Sequence, residues 1–251
     1  MPEALATALE TEGLIWLVVA VCIAGLVRGF AGFGSAMIIM PVASSVLSPV
    51  QAVMFLIAVE LLGPLPNFPA AWREGAPRDV GVLMLGAVLA LPVGIWCLAH
   101  VPPEPFGYVI STVVIVLLLL IITGWRYKGA LTRRLTVATG ALGGFMTGFA
   151  GIPGPPVIML YMASRMPIAV IRANFLLYLL AIDILSFFAF WVSGLILWQI
   201  IFLGLLVGIP NLIANVVGAR LFDPQAEKLF RRVAYIVIAC SAILGLPVWK
   251  G

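Results

Sequence analysis

The stretch Arg28-Gly-Phe-Ala-Gly-Phe-Gly-Ser35 breaks a long apolar run with three glycines, and a twin stands at Thr147-Gly-Phe-Ala-Gly-Ile-Pro-Gly154. Gly29, Phe30, Ala31 and Gly32 fall on Gly148, Phe149, Ala150 and Gly151 at an offset of 119, and Ile39-Met40 falls on Ile158-Met159. Gly and Pro are the poorest helix formers. Hydrocarbon tolerates irregular backbone only where protein or a polar cavity covers it. Two matched breaks within apolar runs therefore predict a buried site built from two halves of a duplicated chain.

Those runs cross lipid. Hydrophobic residues make up 63% of the chain and charged residues 10%, against about 25% charged in soluble domains. Eight apolar segments follow one another: 14–47, 50–71, 80–99, 106–124, 135–164, 168–194, 197–221 and 233–248. The fold class is an all-α polytopic membrane protein. Pro49 matches Pro167, Leu85-Gly86 matches Leu203-Gly204 and Pro92 matches Pro210, each at an offset of 118. The repeat thus spans half the chain, and residues 1–125 and 126–251 form a first and a second membrane repeat. The leader Met1–Glu12 is acidic and lacks the basic start of a signal peptide. The net charge of +4 belongs to loop asymmetry rather than to nucleic-acid binding.

Loop charges decide the topology. If all eight segments cross, seven basic loop residues (Arg73, Arg78, Arg126, Lys128, Arg133, Arg134, Lys250) share one side. Six (Arg165, Arg172, Arg220, Lys228, Arg231, Arg232) share the other. That leaves no positive-inside bias. If the fifth segment turns back at its Gly/Pro break, twelve of the fourteen basic residues face the cytoplasm. The pieces 14–27 and 35–47 hold 14 and 13 residues, short for a hydrocarbon core of about 30 Å. Each repeat is then a re-entrant or broken hairpin plus three transmembrane helices, and three being odd, the repeats are inverted. Eight plain transmembrane helices are the alternative. Cysteine labelling at Pro49 and Pro167 from either side separates the two.

The second arms of the hairpins begin near Ser35 and Pro155. A helix start presents unpaired N–H groups and a partial positive charge, a site for anions. Gly32, Phe33, Gly34 and Ser35 at one tip, with Gly151, Ile152 and Gly154 at the other, are the candidate substrate-binding residues. The plainer reading gives the glycines to helix packing, as for Gly140, Gly144 and Gly148 at four-residue spacing. Arg28 is the one basic residue deep in an apolar stretch, and its guanidinium suits a sulfonate, sulfite or carboxylate. A ligand role is favoured over an ion pair with Glu60. Thr147 stands at the matching place, so any such cation is one-sided.

Glu60 and Asp183 lie near the middles of segments two and six and are the candidate proton-coupling residues; a structural partnership is the alternative for each. Glu60 and Asn67, seven apart, are expected on one helix face, with Pro64 and Pro66 kinking it. Asn211 and Asn215 either line a cavity or bridge helices. Trp16, Trp72, Trp96, Trp125, Trp198 and Trp249 read as interfacial anchors, His100 as a surface residue, and Met37, Met40, Met54 and Met159 as packing. Cys22, Cys97 and Cys240 stand singly, so neither a disulfide framework nor a zinc site is expected. No metal ligands, cofactor motif or nucleophile–base pair is visible, and the chain is not expected to be an enzyme.

Gly29-Phe-Ala-Gly-Phe-Gly34 with Pro41, and Gly148-Phe-Ala-Gly-Ile-Pro-Gly154 with Pro156, resemble the duplicated signature of the TauE/SafE (sulfite exporter) family. The resemblance covers essentially the whole chain in length, duplication and segment count. It implies a multi-pass transporter of the cell inner membrane for sulfite or small organosulfonates, commonly an exporter. Pro153, Pro155 and Pro156 depart from the first copy, so the half-sites need not bind equally. The function expected is alternating-access transport of such an anion, coupled to protons. A small-carboxylate transporter or a small-anion channel is the alternative, and an intramembrane enzyme the reading from another class. The expected partners are a small sulfur-containing anion and membrane lipid, with no nucleic acid and no cofactor; a homodimer is left open.

Overall fold

The computed structural model describes residues 13–123, 132–164 and 166–249. The leader Met1–Glu12, Gly124, Trp125, Arg126, Lys128, Arg165 and Lys250 lie outside the described residues.

Backbone chemistry sets the ends of the helices. Leu14–Ala31 (α1) runs straight through Arg28 and Gly29, and Gly32 closes it with a left-handed φ of 78°. Gly34, at φ 98°, then starts Ser35–Val46 (α2). Only glycine adopts two such conformations cheaply in so short a link. Pro49–Glu60 (α3) opens on a capping box between Ser48 and Gln51 with Pro49 in its first turn. The chain continues through Phe68–Glu74 (α4), Pro77–His100 (α5) and Pro103–Ile122 (α6). Thr132 caps Arg133–Ala150 (α7), which Gly151 ends at φ 68°. Gly154–Met162 (α8), Ile168–Val192 (α9), Trp198–Leu221 (α10) and Glu227–Leu244 (α11) complete the order.

This is a multi-pass, all-α membrane protein. Five of these helices, α1, α5, α6, α9 and α10, are long and apolar enough to cross a membrane. The bent pair of Pro49–Glu60 with Leu65–Glu74 makes a sixth if it counts as one span. Leu85, Leu89, Val93 and Trp96 of α5 are exposed, an arrangement that costs nothing against lipid.

Three expectations change. The helix α1 is 18 residues rather than 14, about 27 Å at 1.5 Å per residue, so it reaches a spanning length while the 12 residues of α2 do not. Gly13 nonetheless lies against Val46, so the two arms run back along each other from the break. The second segment breaks rather than kinks: α3 stops at Glu60, Leu65–Asn67 forms a 3-10 turn, and the bend is 41°. Glu60 therefore ends a helix, Asn67 is exposed beyond the break, and the two share no helix face. The last helix starts at Glu227, six residues before the apolar run at Val233.

The described residues pack as two compact units. One holds α1, α2, α3, α6, α10 and α11; the other holds α4, α5, α7, α8 and α9. Each unit draws on both halves of the sequence, and in each a hairpin's first arm lies along a long helix. In the first unit α1 meets α10, where a Cβ on Gly25, Gly29 or Gly218 would overlap backbone of Asn211, Asn215 or Leu26. In the second α7 meets α5, with Gly144, Gly148 and Gly94 against Ala87, Leu91 and Phe145. Asn211, Asn215 and Gly218 thus stand where Ala87, Leu91 and Gly94 stand, at an offset of 124. That is six beyond the 118 at which Pro92 falls on Pro210. Backbones can touch only where no Cβ intervenes, so glycines rather than prolines set the register.

Candidate anion-binding site

The first break brings three polar side chains together inside one unit. Arg28 comes from the last turn of α1, Ser35 from the first residue of α2 and Glu60 from the last residue of α3. The Arg28 guanidinium lies 3.0 Å from one Glu60 carboxylate oxygen. The Ser35 hydroxyl donates to the other, and Arg28 donates weakly to Ser35 Oγ at 3.5 Å. Arg28 is 13% and Glu60 9% exposed, and Ser35 is buried. The ion pair with Glu60, the less favoured reading of Arg28, is the one the structure shows. Helix dipoles favour part of this arrangement: the cation ends one helix and the carboxylate meets the start of another.

The surroundings of the tip are aromatic. Phe30 packs on Phe230 at 5.2 Å and Phe33 on Tyr235 at 6.4 Å between ring centroids. Gly34 abuts the Ile238 side chain, and Gly32 is exposed with open space beside it. Asn211 is buried and donates to the Val21 carbonyl at 2.9 Å, bridging α10 to α1. Asn215 is half-buried, its carbonyl pressed on Gly29.

The second break belongs to the other unit and is buried at 151–153. Gly151, Ile152 and Pro153 are buried, and Gly154 faces the Phe175 ring. Pro153 stands at φ −76° where Gly34 is left-handed, because a proline ring cannot follow. Thr147 donates to the Gly143 carbonyl at 2.7 Å. Tyr178, fully buried, sets its hydroxyl over Gly143 and beside Thr147 without closing a well-formed hydrogen bond. Asp183 lies buried in α9 within electrostatic reach of Tyr178.

The tyrosine was missed as a polar site residue, and the repeat contained the signal: the 118 offset that joins Pro49 to Pro167 joins Glu60 to Tyr178. Tyr161, another buried hydroxyl without a hydrogen-bond partner, had no such signal. His100 bonds the Trp96 carbonyl at 2.8 Å on an exposed helix end. Among the described residues no His, Cys, Asp or Glu group is placed to hold a metal.

Residues 17–244 match the family model described as Sulfite exporter TauE/SafE. The chain belongs to the TauE/SafE family. It is also similar to the "Probable sulfite/organosulfonate exporter TauE" of Cupriavidus necator, 26% identical over 233 residues, which cover 86% of this chain and 87% of that one. No solved structure matches it.

Proposed function

We propose that this TauE/SafE member is a secondary transporter, working in the export direction, for sulfite or a small organosulfonate across the cell inner membrane. It works by alternating access and couples to protons. The observation that carries this reading is the meeting of Arg28 and Ser35 at a helix start within an apolar surround. A guanidinium fork, a hydroxyl and a positive helix end are donors matched to the oxygens of a small anion. Membership of a family of sulfite exporters and likeness to a protein named for sulfite and organosulfonates favour sulfur oxyanions over carboxylates. Within the unit of Arg28, the residues Gly32, Phe33, Gly34 and Asn215 shape the binding surface; Gly151, Ile152 and Gly154 are the corresponding tip residues of the other unit, and Glu60 and Asp183 handle protons.

Flux from vesicles reconstituted with the purified protein tests this. Sulfite and ethanesulfonate efflux should saturate and respond to an imposed pH gradient. Flux that neither saturates nor responds would indicate a channel, and preference for acetate a carboxylate carrier. The inverted repeat of residues 1–125 and 126–251 is part of the same proposal. Single cysteines at Ser48, exposed beside Pro49, and at Pro167 should label from opposite sides; labelling of both from one side would overturn it.

A further inference from the structure

We propose that Glu60 is the resident occupant of the oxyanion site, so that a substrate anion binds only as Glu60 takes up a proton. This rests on the anion-transport reading and adds the rule by which proton and anion are linked.

The geometry carries it. A carboxylate is itself a small oxyanion, and each Glu60 oxygen takes a donor that a sulfonate would need: the Arg28 guanidinium at 3.0 Å on one, the Ser35 hydroxyl on the other. It also sits at the start of α2, where a bound anion gains from the helix dipole. A second anion cannot share these donors. Two negative charges a few ångströms apart in an apolar surround repel strongly, and one of them must be neutralised.

Among the described residues, the ion pair that Glu60 makes is with Arg28. Apart from Glu60 itself α3 carries no charged residue, and α2 carries none. Of the helices packed on α3, α10 carries only Arg220. Arg220 lies twelve residues beyond Gly208, which abuts Val59, about 18 Å along the helix axis. On α11, which packs on α2, Lys228, Arg231 and Arg232 are exposed, and the cation that pairs with Glu60 is Arg28.

Charge balance makes the exchange tolerable in lipid. Empty, the site holds Arg28 positive and Glu60 negative. Loaded, it holds Arg28 positive, the anion negative and Glu60 neutral. The net charge is zero in both, so neither form carries an uncompensated ion through the membrane. One proton accompanies each monovalent anion.

Binding of ethanesulfonate to the purified protein between about pH 5 and pH 8 tests this, because that ligand keeps its single charge throughout the range. Toward the alkaline end of that range the wild-type dissociation constant should rise about tenfold per pH unit, as linkage of one proton requires. Glu60→Gln should bind at least as tightly as the wild type at its best and show no pH dependence. In vesicles the variant should exchange anion for anion yet ignore a pH gradient. Measurable wild-type binding that is flat with pH would overturn the proposal and leave the transport reading standing. Absence of ethanesulfonate and sulfite binding at every pH would overturn the transport reading itself. The wild-type profile decides the matter even where Glu60→Gln melts too early to assay.

Discussion

At the tip of the first hairpin stand Arg28, Ser35 and Glu60; at the matching places of the second stand Thr147, Gly154 and Tyr178. The scaffolds beneath them agree in detail. Gly32 and Gly151 close their helices at φ 78° and 68°. Gly29 and Gly148 press into the backbone of a long helix in the same register. What differs is charge: an ion pair in one unit, two adjacent hydroxyls in the other. The lesson is that close backbone packing holds the glycines of both tips in one register, whereas the polar side chains above them differ.

The largest effects should fall on the shared frame. Gly29→Ala and Gly148→Ala would each drive a methyl into backbone, at Asn215 and Leu91 respectively, where no flexible side chain can yield. Both should lose most of the folded, membrane-inserted protein, measured as monodisperse yield in detergent. A large effect at one glycine and none at the other would break the likeness between the units.

The next test separates the units. Arg28→Ala should abolish anion flux with membrane insertion retained, and lower stability by about 3 kcal/mol by leaving Glu60 without its cation. Thr147→Ala should keep flux within a few-fold. Equal losses would mean that the second tip matters as much as the first. Tyr178→Phe should be milder still in flux, since its hydroxyl makes no complete hydrogen bond. The smallest effect is expected from Asn211→Leu, which removes one helix-bridging hydrogen bond. A loss of about 0.6 kcal/mol, read as a small drop in melting temperature at unchanged flux, would mark Asn211 as a brace. A large rise in the substrate dissociation constant would return it to the site.

Much of the frame was legible because its causes are local. The two breaks, the helix starts near Ser35 and Pro155 and the packing role of Gly140, Gly144 and Gly148 follow from glycine, proline and apolar periodicity. The true length of α1 was not legible. Gly29 counts against a helix in isolation, and only its seat on α10 makes it welcome there. The position of Glu60 was misread for a related reason, since apolar periodicity continues across 61–67 while the backbone does not.

The amino-acid sequence alone determined that this chain lives in lipid and that two of its apolar runs are interrupted at matching glycines. Hydropathy and backbone preference act over a few residues and can be read without knowing what those residues pack against. Only the tertiary structure decided that Arg28 meets Glu60 rather than standing open. It alone set α10 against α1 and α5 against α7 at an offset of 124, and gathered helices of both halves into each unit. Those choices depend on which backbones can approach within a side chain's width, and that is a property of paired surfaces that no single stretch contains.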